Sequence, residues 1–340
     1  MVSERKITDL PDLISDLSPE DRILANRIFD VSTTTGRLAP PEAMHAWIEK
    51  SFGSVDHVTA QRIVKVTNRI TLEGTPADVF GRVEGDHAIS ASNVAKYDGF
   101  HGVIVFDYHN PLHLTPEKVS GYVSVGLEWG LKALQADPEA CYPFLMWNCL
   151  WRAGGSIIHG HAQVTATRGS HYPKVERLRR NASAYKLEHG SDYFEDLHGI
   201  HASLGLDVPL EGTRAFASLS PIKEKELVVI GSEPGDEPLG HAVGALLQGY
   251  VEALGVRAFN VAFYMPPLAP TQEDWTDFPT VVYIVDRGDP SNRTSDMGAM
   301  ELYAASVVAS DPFRVAEALR ERRSDYTVGA KRPAVDKGAR

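Results

Sequence analysis

In Ser156-Ile157-Ile158-His159-Gly160-His161-Ala162-Gln163-Val164, two imidazoles and an amide recur at every second residue. On a β-strand that spacing puts His159, His161 and Gln163 on one face. Just before them the turn Arg152-Ala153-Gly154-Gly155 carries two residues without side chains, Gly154 and Gly155, which would let a phosphate approach the backbone closely. Ser156 then offers a donor from its hydroxyl or its N–H, and Asn148, on the preceding strand, brings an amide to the same patch. Taken alone, His-x-His on a strand reads equally well as a solvent-facing pair or a casual metal contact, and Asn148 and Ser156 as residues of a strand-end turn. Polar groups converging on one patch from several places favour a site, with an imidazole nucleophile among donors suited to phosphate oxygens.

The elements that must hold these residues are strands over 102–106, 142–148 and 156–167, with a helix opened by Thr115-Pro116-Glu117 and running to about residue 134. The same order returns as a strand over 226–230, a helix over 239–254, and strands over 258–265 and 280–286. Strand, helix, strand, strand thus occurs twice, which predicts an α+β fold whose halves join in one antiparallel sheet with helices packed on it. A Val- and Ile-rich strand over 62–72 opens the first repeat. Residues 1–59 read as a helical extension, with helix starts at Ser18-Pro19-Glu20 and Pro40-Pro41-Glu42. The expected division is an extension at 1–59, a body at 60–325 with repeats over about 60–170 and 210–325, and a tail at 326–340.

Hydrophobic residues at 43% and charged residues at 23% are the balance of a globular protein, and 340 residues can bury a large core. The formal charge of −11 opposes non-specific nucleic-acid binding and leaves a small anion to be held by local donors. No apolar run reaches the roughly 18 residues of a membrane span, and no signal-type apolar core follows Met1, so neither a membrane nor a secretory route is expected. Cys141 and Cys149 form neither a disulfide framework nor a Cys-x-x-Cys metal pair. A reduced, cytoplasmic setting is the expectation.

Asn148, Ser156, His159, His161 and Gln163 stand at intervals that resemble the galactose-1-phosphate uridylyltransferase branch of the histidine-triad (HIT-like) superfamily. Diadenosine polyphosphate phosphorylases share the His-x-His-x-Gln core. The resemblance extends to Val103-Ile104-Val105-Phe106-Asp107-Tyr108-His109 before a helix, and to Gly298-Ala299-Met300-Glu301-Leu302, Asp311-Pro312 and Ala316-Glu317-Ala318-Leu319-Arg320 near the other end. It implies a HIT-like half-barrel sheet, a homodimer, and transfer of a nucleoside monophosphate between a nucleotide sugar and a sugar 1-phosphate, as in UDP-glucose–hexose-1-phosphate uridylyltransferases. It gives His161 the role of nucleophile, forming a nucleotidyl-histidine. The chemistry agrees, since an imidazole of pKa near ~6.5 is largely neutral at pH 7, and its other nitrogen should donate to a fixed acceptor such as a backbone carbonyl. Histidine-triad hydrolases place a third histidine where Gln163 stands. Gln163 can donate hydrogen bonds but cannot protonate a leaving group, which suits a leaving phosphate and favours transfer over hydrolysis.

Several positions depart from the resemblance. Its structural zinc implies a Cys-x-x-Cys pair beside His109 and His159; the cysteines are absent, so the cofactor stays open, with zinc one candidate. The iron-binding histidines of the second half have no counterpart, and Tyr283-Ile284-Val285-Asp286 stands there instead. Arg287, Asn292 and Arg293 form a polar loop able to hold the second phosphate or sugar, and Asn68 and Arg69 could reach the nucleotide; each also reads as a solvated loop. His171, His189, His198 and His201 read as surface or helix-end residues, and Glu224 and Glu226 as an exposed charged run. Two further readings use the same residues: a phosphorylase of nucleotide sugars or dinucleoside polyphosphates, and a non-catalytic nucleotide-binding protein.

Overall fold

Ser18 accepts a hydrogen bond from the Asp21 N–H and Pro19 fills the first turn, so a helix starts where the sequence suggests. In a computed structural model that describes residues 7–37, 40, 42–68, 82–93, 98–231, 237–295 and 297–329, this is the second of four short helices near the start: α1 (Leu10–Ser15), α2 (Pro19–Ile28), α3 (His45–Phe52) and α4 (Val55–Thr59). The expectation of a purely helical extension is corrected by β1 (Phe29–Arg37), which pairs antiparallel with β2 (Ala60–Asn68) in a separate two-stranded sheet. Val31, Thr33, Thr34 and Thr35 are β-branched, which suits a pleated strand better than a helix. Of the strand expected over 62–72, residues 62–68 lie in β2, which belongs to this small sheet rather than to the body, and residues 69–72 lie outside the described residues.

The body contains β3 (Ala88–Ser92), β4 (Phe100–Phe106), α5 (Pro116–Ala136), β5 (Tyr142–Cys149) and β6 (His161–Thr167). Two helices follow, α6 (Pro173–His189) and α7 (Tyr193–Ser203), and then β7 (Arg214–Ala217), β8 (Leu227–Ile230), α8 (Glu237–Glu252), β9 (Phe259–Tyr264) and β10 (Val281–Asp286). Helices α9 (Ala299–Tyr303) and α10 (Pro312–Gly329) end the described chain, α10 running into the segment expected as a tail. The eight body strands form one antiparallel sheet in the order β3-β4-β6-β5-β9-β10-β8-β7. The second four strands mirror the first, and the halves join along β5 and β9, where Asn148 lies opposite Asn260. The repeat inferred from pattern is therefore a repeat of topology.

Alternation along the strands sends one set of side chains, including Ile104, Leu145, Trp147, Val164, Val261 and Phe263, under α5 and α8. Glycine lets these layers touch. A Cβ on Gly102 would lie 2.6 Å from the buried Trp129 ring, and one on Gly244 would lie 2.6 Å from the Pro116 Cα. On the opposite face, α6 and α7 pack Val175 and Phe194 against Phe216, Val228, Ile230 and Val281. Nothing in the strand–helix repeat announces these two helices; Asp192 starts α7 by accepting from the N–H groups of Phe194 and Glu195.

Three polar residues sit deeper than expected. His171 and His201 are buried, and so is Glu226. Glu226 accepts from the Ile222 N–H, and burial raises its pKa. Glu224 receives the N–H groups of Ala309 and Ser310, so it ties the chain before α10 to the sheet instead of facing solvent. His171 donates from Nε2 to the Met265 carbonyl at 3.1 Å and accepts the Tyr172 N–H on Nδ1 at 2.7 Å. Its pKa is driven down to about 4, first by burial; a proton on Nδ1 would also break the bond from Tyr172.

Two measurements check this packing. Gly102→Ala should lower the free energy of unfolding by about 1–3 kcal/mol through overpacking against Trp129. Gly199→Ala in α7, where a Cβ meets nothing within 4 Å, should raise it by about 0.5–1 kcal/mol; urea melts read both. His171 takes up its proton at about pH 4 when folded and near 6.5 when unfolded. Its contribution is thus complete above about pH 6.5 and lost as pH falls toward 4, in total about 3 kcal/mol. His171→Gln should flatten that part of the stability–pH curve, and an unchanged slope would contradict the assignment.

Candidate active site

The strand expected over 156–167 begins only at His161, and residues 156–160 form a loop. Gly160 explains the break. A Cβ there would lie 2.7 Å from the Phe106 ring and 3.1 Å from the Tyr108 carbonyl, so the chain presses onto the end of β4. Phe106 is itself fixed, stacked on Tyr122 with ring centroids 3.6 Å apart and edge-on to Trp147. His161 and Gln163 share a strand face, as expected, whereas His159 does not join them. Its ring turns back to β4 and donates from Nε2 to the Phe106 carbonyl at 2.8 Å.

That placement leaves the His159 carbonyl for His161, whose Nδ1 lies 2.9 Å away. A carbonyl only accepts, so Nδ1 of His161 carries the proton and Nε2 of the neutral ring keeps its lone pair. Register completes the patch. Met146 of β5 faces Gln163 of β6, and by alternation Asn148, two residues beyond Met146, lies on the same face of the sheet as Gln163 and His161.

Asn148 has its orientation imposed from the second repeat. Arg287, which can only donate, gives a guanidinium N–H to Asn260 Oδ1. The Asn260 amide nitrogen then donates to Asn148 Oδ1 at 2.7 Å and to the Ala153 carbonyl at 2.8 Å. With its oxygen taken, Asn148 presents its NH₂ outward. Gln163 is held in a similar way: its Oε1 lies 2.8 Å from Nε2 of His101 and 3.4 Å from the Asn93 amide nitrogen. Asn260, His101 and Asn93 had no signal in the sequence, since each meets its partner only across the sheet.

The loop between β5 and β6 winds around one carbonyl. The N–H groups of Ala153 and Gly155 both reach the Leu150 oxygen, at 3.1 and 2.9 Å, and Leu150 itself has a φ of 67°. The reason for Gly155 differs from the expected one: a Cβ would lie 2.7 Å from the Asn148 carbonyl and 2.9 Å from that of Leu150, so close backbone packing demands glycine. Gly154, at φ 92° with nothing within 4 Å of a Cβ, is the residue that leaves open space. Ser156 is exposed on this loop. Arg152 anchors the loop to the second repeat by donating to the carbonyls of Arg287, Asn292 and Thr294, and Trp151 donates to that of Pro290. The polar loop containing Asn292 and Arg293 thus lies beside the site, with Arg293 exposed. The Asn68 side chain and Arg69 lie outside the described residues.

His109 and His159 meet, Nδ1 to Nδ1, at 3.2 Å. Because Nε2 of His159 donates to Phe106, its Nδ1 accepts from His109. The spacing suits two ligands of a tetrahedral zinc, but a structural zinc needs four donors, and the described residues contain no group of three that could hold a metal. Among the described residues, then, the donors present do not complete such a site. His113 packs beside Tyr108, ring centroids 5.5 Å apart. Among the described residues no helix is long and apolar enough to cross a membrane.

No family model matches the chain, and no curated protein matches it in sequence. Solved structures do. A uridylyltransferase structure is 16% identical with a TM-score of 0.60, covering 76% of this chain and 98% of its own. An ADP-glucose phosphorylase from Arabidopsis thaliana with bound ADP-glucose is 17% identical with a TM-score of 0.58, covering 69% of this chain and 81% of its own. A GalT-like protein from the same plant is 19% identical with a TM-score of 0.58, covering 69% and 84%. The sheet of mirrored repeats, with His161 beside its central seam, has the HIT-like fold of these GalT-like uridylyltransferase and phosphorylase structures.

Proposed function

We propose that this chain is a nucleotidyltransferase that moves a nucleoside monophosphate between a nucleoside-diphosphate sugar and a sugar 1-phosphate through His161. The observation that carries the reading is the bond from Nδ1 of His161 to the His159 carbonyl, which leaves a bare Nε2 on the face shared by two amide donors. Nε2 attacks the α-phosphorus of the nucleotide sugar; the N–P bond forms as the bond to the bridging oxygen breaks, and the sugar 1-phosphate leaves with that electron pair. Positive charge growing on the ring is stabilised by the His159 carbonyl, while the NH₂ groups of Asn148 and Gln163 and the Ser156 hydroxyl donate to the non-bridging oxygens. A second sugar 1-phosphate then attacks the same phosphorus and frees His161. Neither half-reaction needs a strong acid, consistent with glutamine at 163.

A phosphorylase reading is supported by the likeness to the ADP-glucose phosphorylase structure. It uses the same intermediate and differs in the acceptor, so parallel assays with inorganic phosphate and a hexose 1-phosphate separate the two. Homodimerisation is part of the proposal, supported by the exposed apolar residues Trp151, Ile157 and Ile158 on the site loop; a single monomer species in sedimentation would remove it.

Incubation with nucleoside-diphosphate sugars should add the mass of one nucleoside monophosphate in an acid-labile bond, and His161→Ala should abolish the gain. Labelling that persists in that variant, or is absent with every donor, would refute the reading. Asn148→Ala should slow transfer to His161 about 10²-fold with the melting temperature nearly unchanged; an unchanged rate would remove Asn148 from the site.

A further inference from the structure

His101, on β4, is wholly buried and sixty-two residues from Gln163 in sequence, and the reaction as derived assigns it nothing. Its Nε2 approaches two groups at once: Gln163 Oε1 at 2.8 Å and the Asn93 amide nitrogen at 3.0 Å. The Asn93 nitrogen is also 3.4 Å from the same glutamine oxygen. A single imidazole nitrogen either donates or accepts, so only two arrangements are available.

In the first, Nε2 is protonated, and His101 and Asn93 both donate to Gln163 Oε1. The glutamine NH₂ is then left for a ligand. In the second, Nε2 is bare and accepts from Asn93; Gln163 must turn its NH₂ toward His101 and show its carbonyl oxygen to the site, where it would repel a phosphoryl oxygen. The neighbouring amide indicates which polarity the site uses, because Arg287, a donor only, forces Asn148 through Asn260 to present NH₂.

We infer that His101, as the Nε2–H tautomer, is a positioning residue: with Asn93 it holds the oxygen of Gln163 and so keeps the amide N–H groups aimed at the phosphoryl group in transfer. Its effect on rate rests on the function proposed above; its tautomer does not. A long-range ¹H–¹⁵N spectrum of the ligand-free protein labelled with [¹⁵N]histidine tests the tautomer, the His101 signals being those lost in His101→Gln. A protonated Nε2 is expected, and a bare Nε2 would overturn the inference even if no donor ever labels the protein.

The rate is tested by single-turnover labelling of His161. His101→Met, which removes the donor, should slow labelling about 10-fold with affinity for the labelling nucleotide sugar unchanged, while His101→Gln, which keeps an N–H near the same place, should restore it to within about threefold of wild type. Equal rates for His101→Met and wild type, or no recovery in His101→Gln, would overturn the role. Failure of the wild-type protein to label would count against the proposed function alone.

Discussion

The bond between Nδ1 of His161 and the carbonyl of His159 is the constraint on which the rest of the site depends. It fixes the ring's tautomer, and it exists because Gly160 lets the backbone fold onto Phe106 and turn the His159 carbonyl toward the next histidine. Replace that glycine by any other residue and the loop must move away from β4, taking the acceptor with it. The first histidine of the motif therefore works through its backbone toward His161 and through its ring toward β4 and His109.

Around this bond the two repeats divide the work. The first carries His161, Gln163 and Asn148; the second supplies Asn260 and Arg287, which set the polarity of Asn148 across the seam between β5 and β9. Arg152 closes the arrangement by holding the loop after β10 against the loop before β6. On the proposed reading, a chain of net charge −11 would hold an anion through neutral amides whose orientation Arg287 helps to set. The site needs donors pointed inward, and here the donors are oriented by having their oxygens taken.

The sequence is legible where spacing reports structure. Alternation in β6 places His161 and Gln163 on one face, Thr115 and Pro116 mark the start of α5, and the doubled strand–helix–strand–strand order reads out the sheet. Legibility fails where the reason is tertiary. His159 keeps the period of a strand but is pulled out of it by contact with Phe106; Gly155 is required by packing against the Asn148 and Leu150 carbonyls, which no local pattern reveals. His101 and Asn260 meet partners only after the sheet has formed, and β1 is paired by a strand thirty residues away. Short β-branched runs such as that in β1 are decided by a partner strand more than by propensity.

The central claim is that Nε2 of His161 forms the bond to phosphorus. The direct test is a ³¹P and ¹⁵N spectrum of protein carrying [¹⁵N]histidine and trapped after reaction with a nucleotide sugar. The account predicts a phosphoramidate signal coupled to one imidazole nitrogen, Nε2 of His161, with Nδ1 still protonated. Coupling to Nδ1, or phosphorus attached to a different residue, would contradict it.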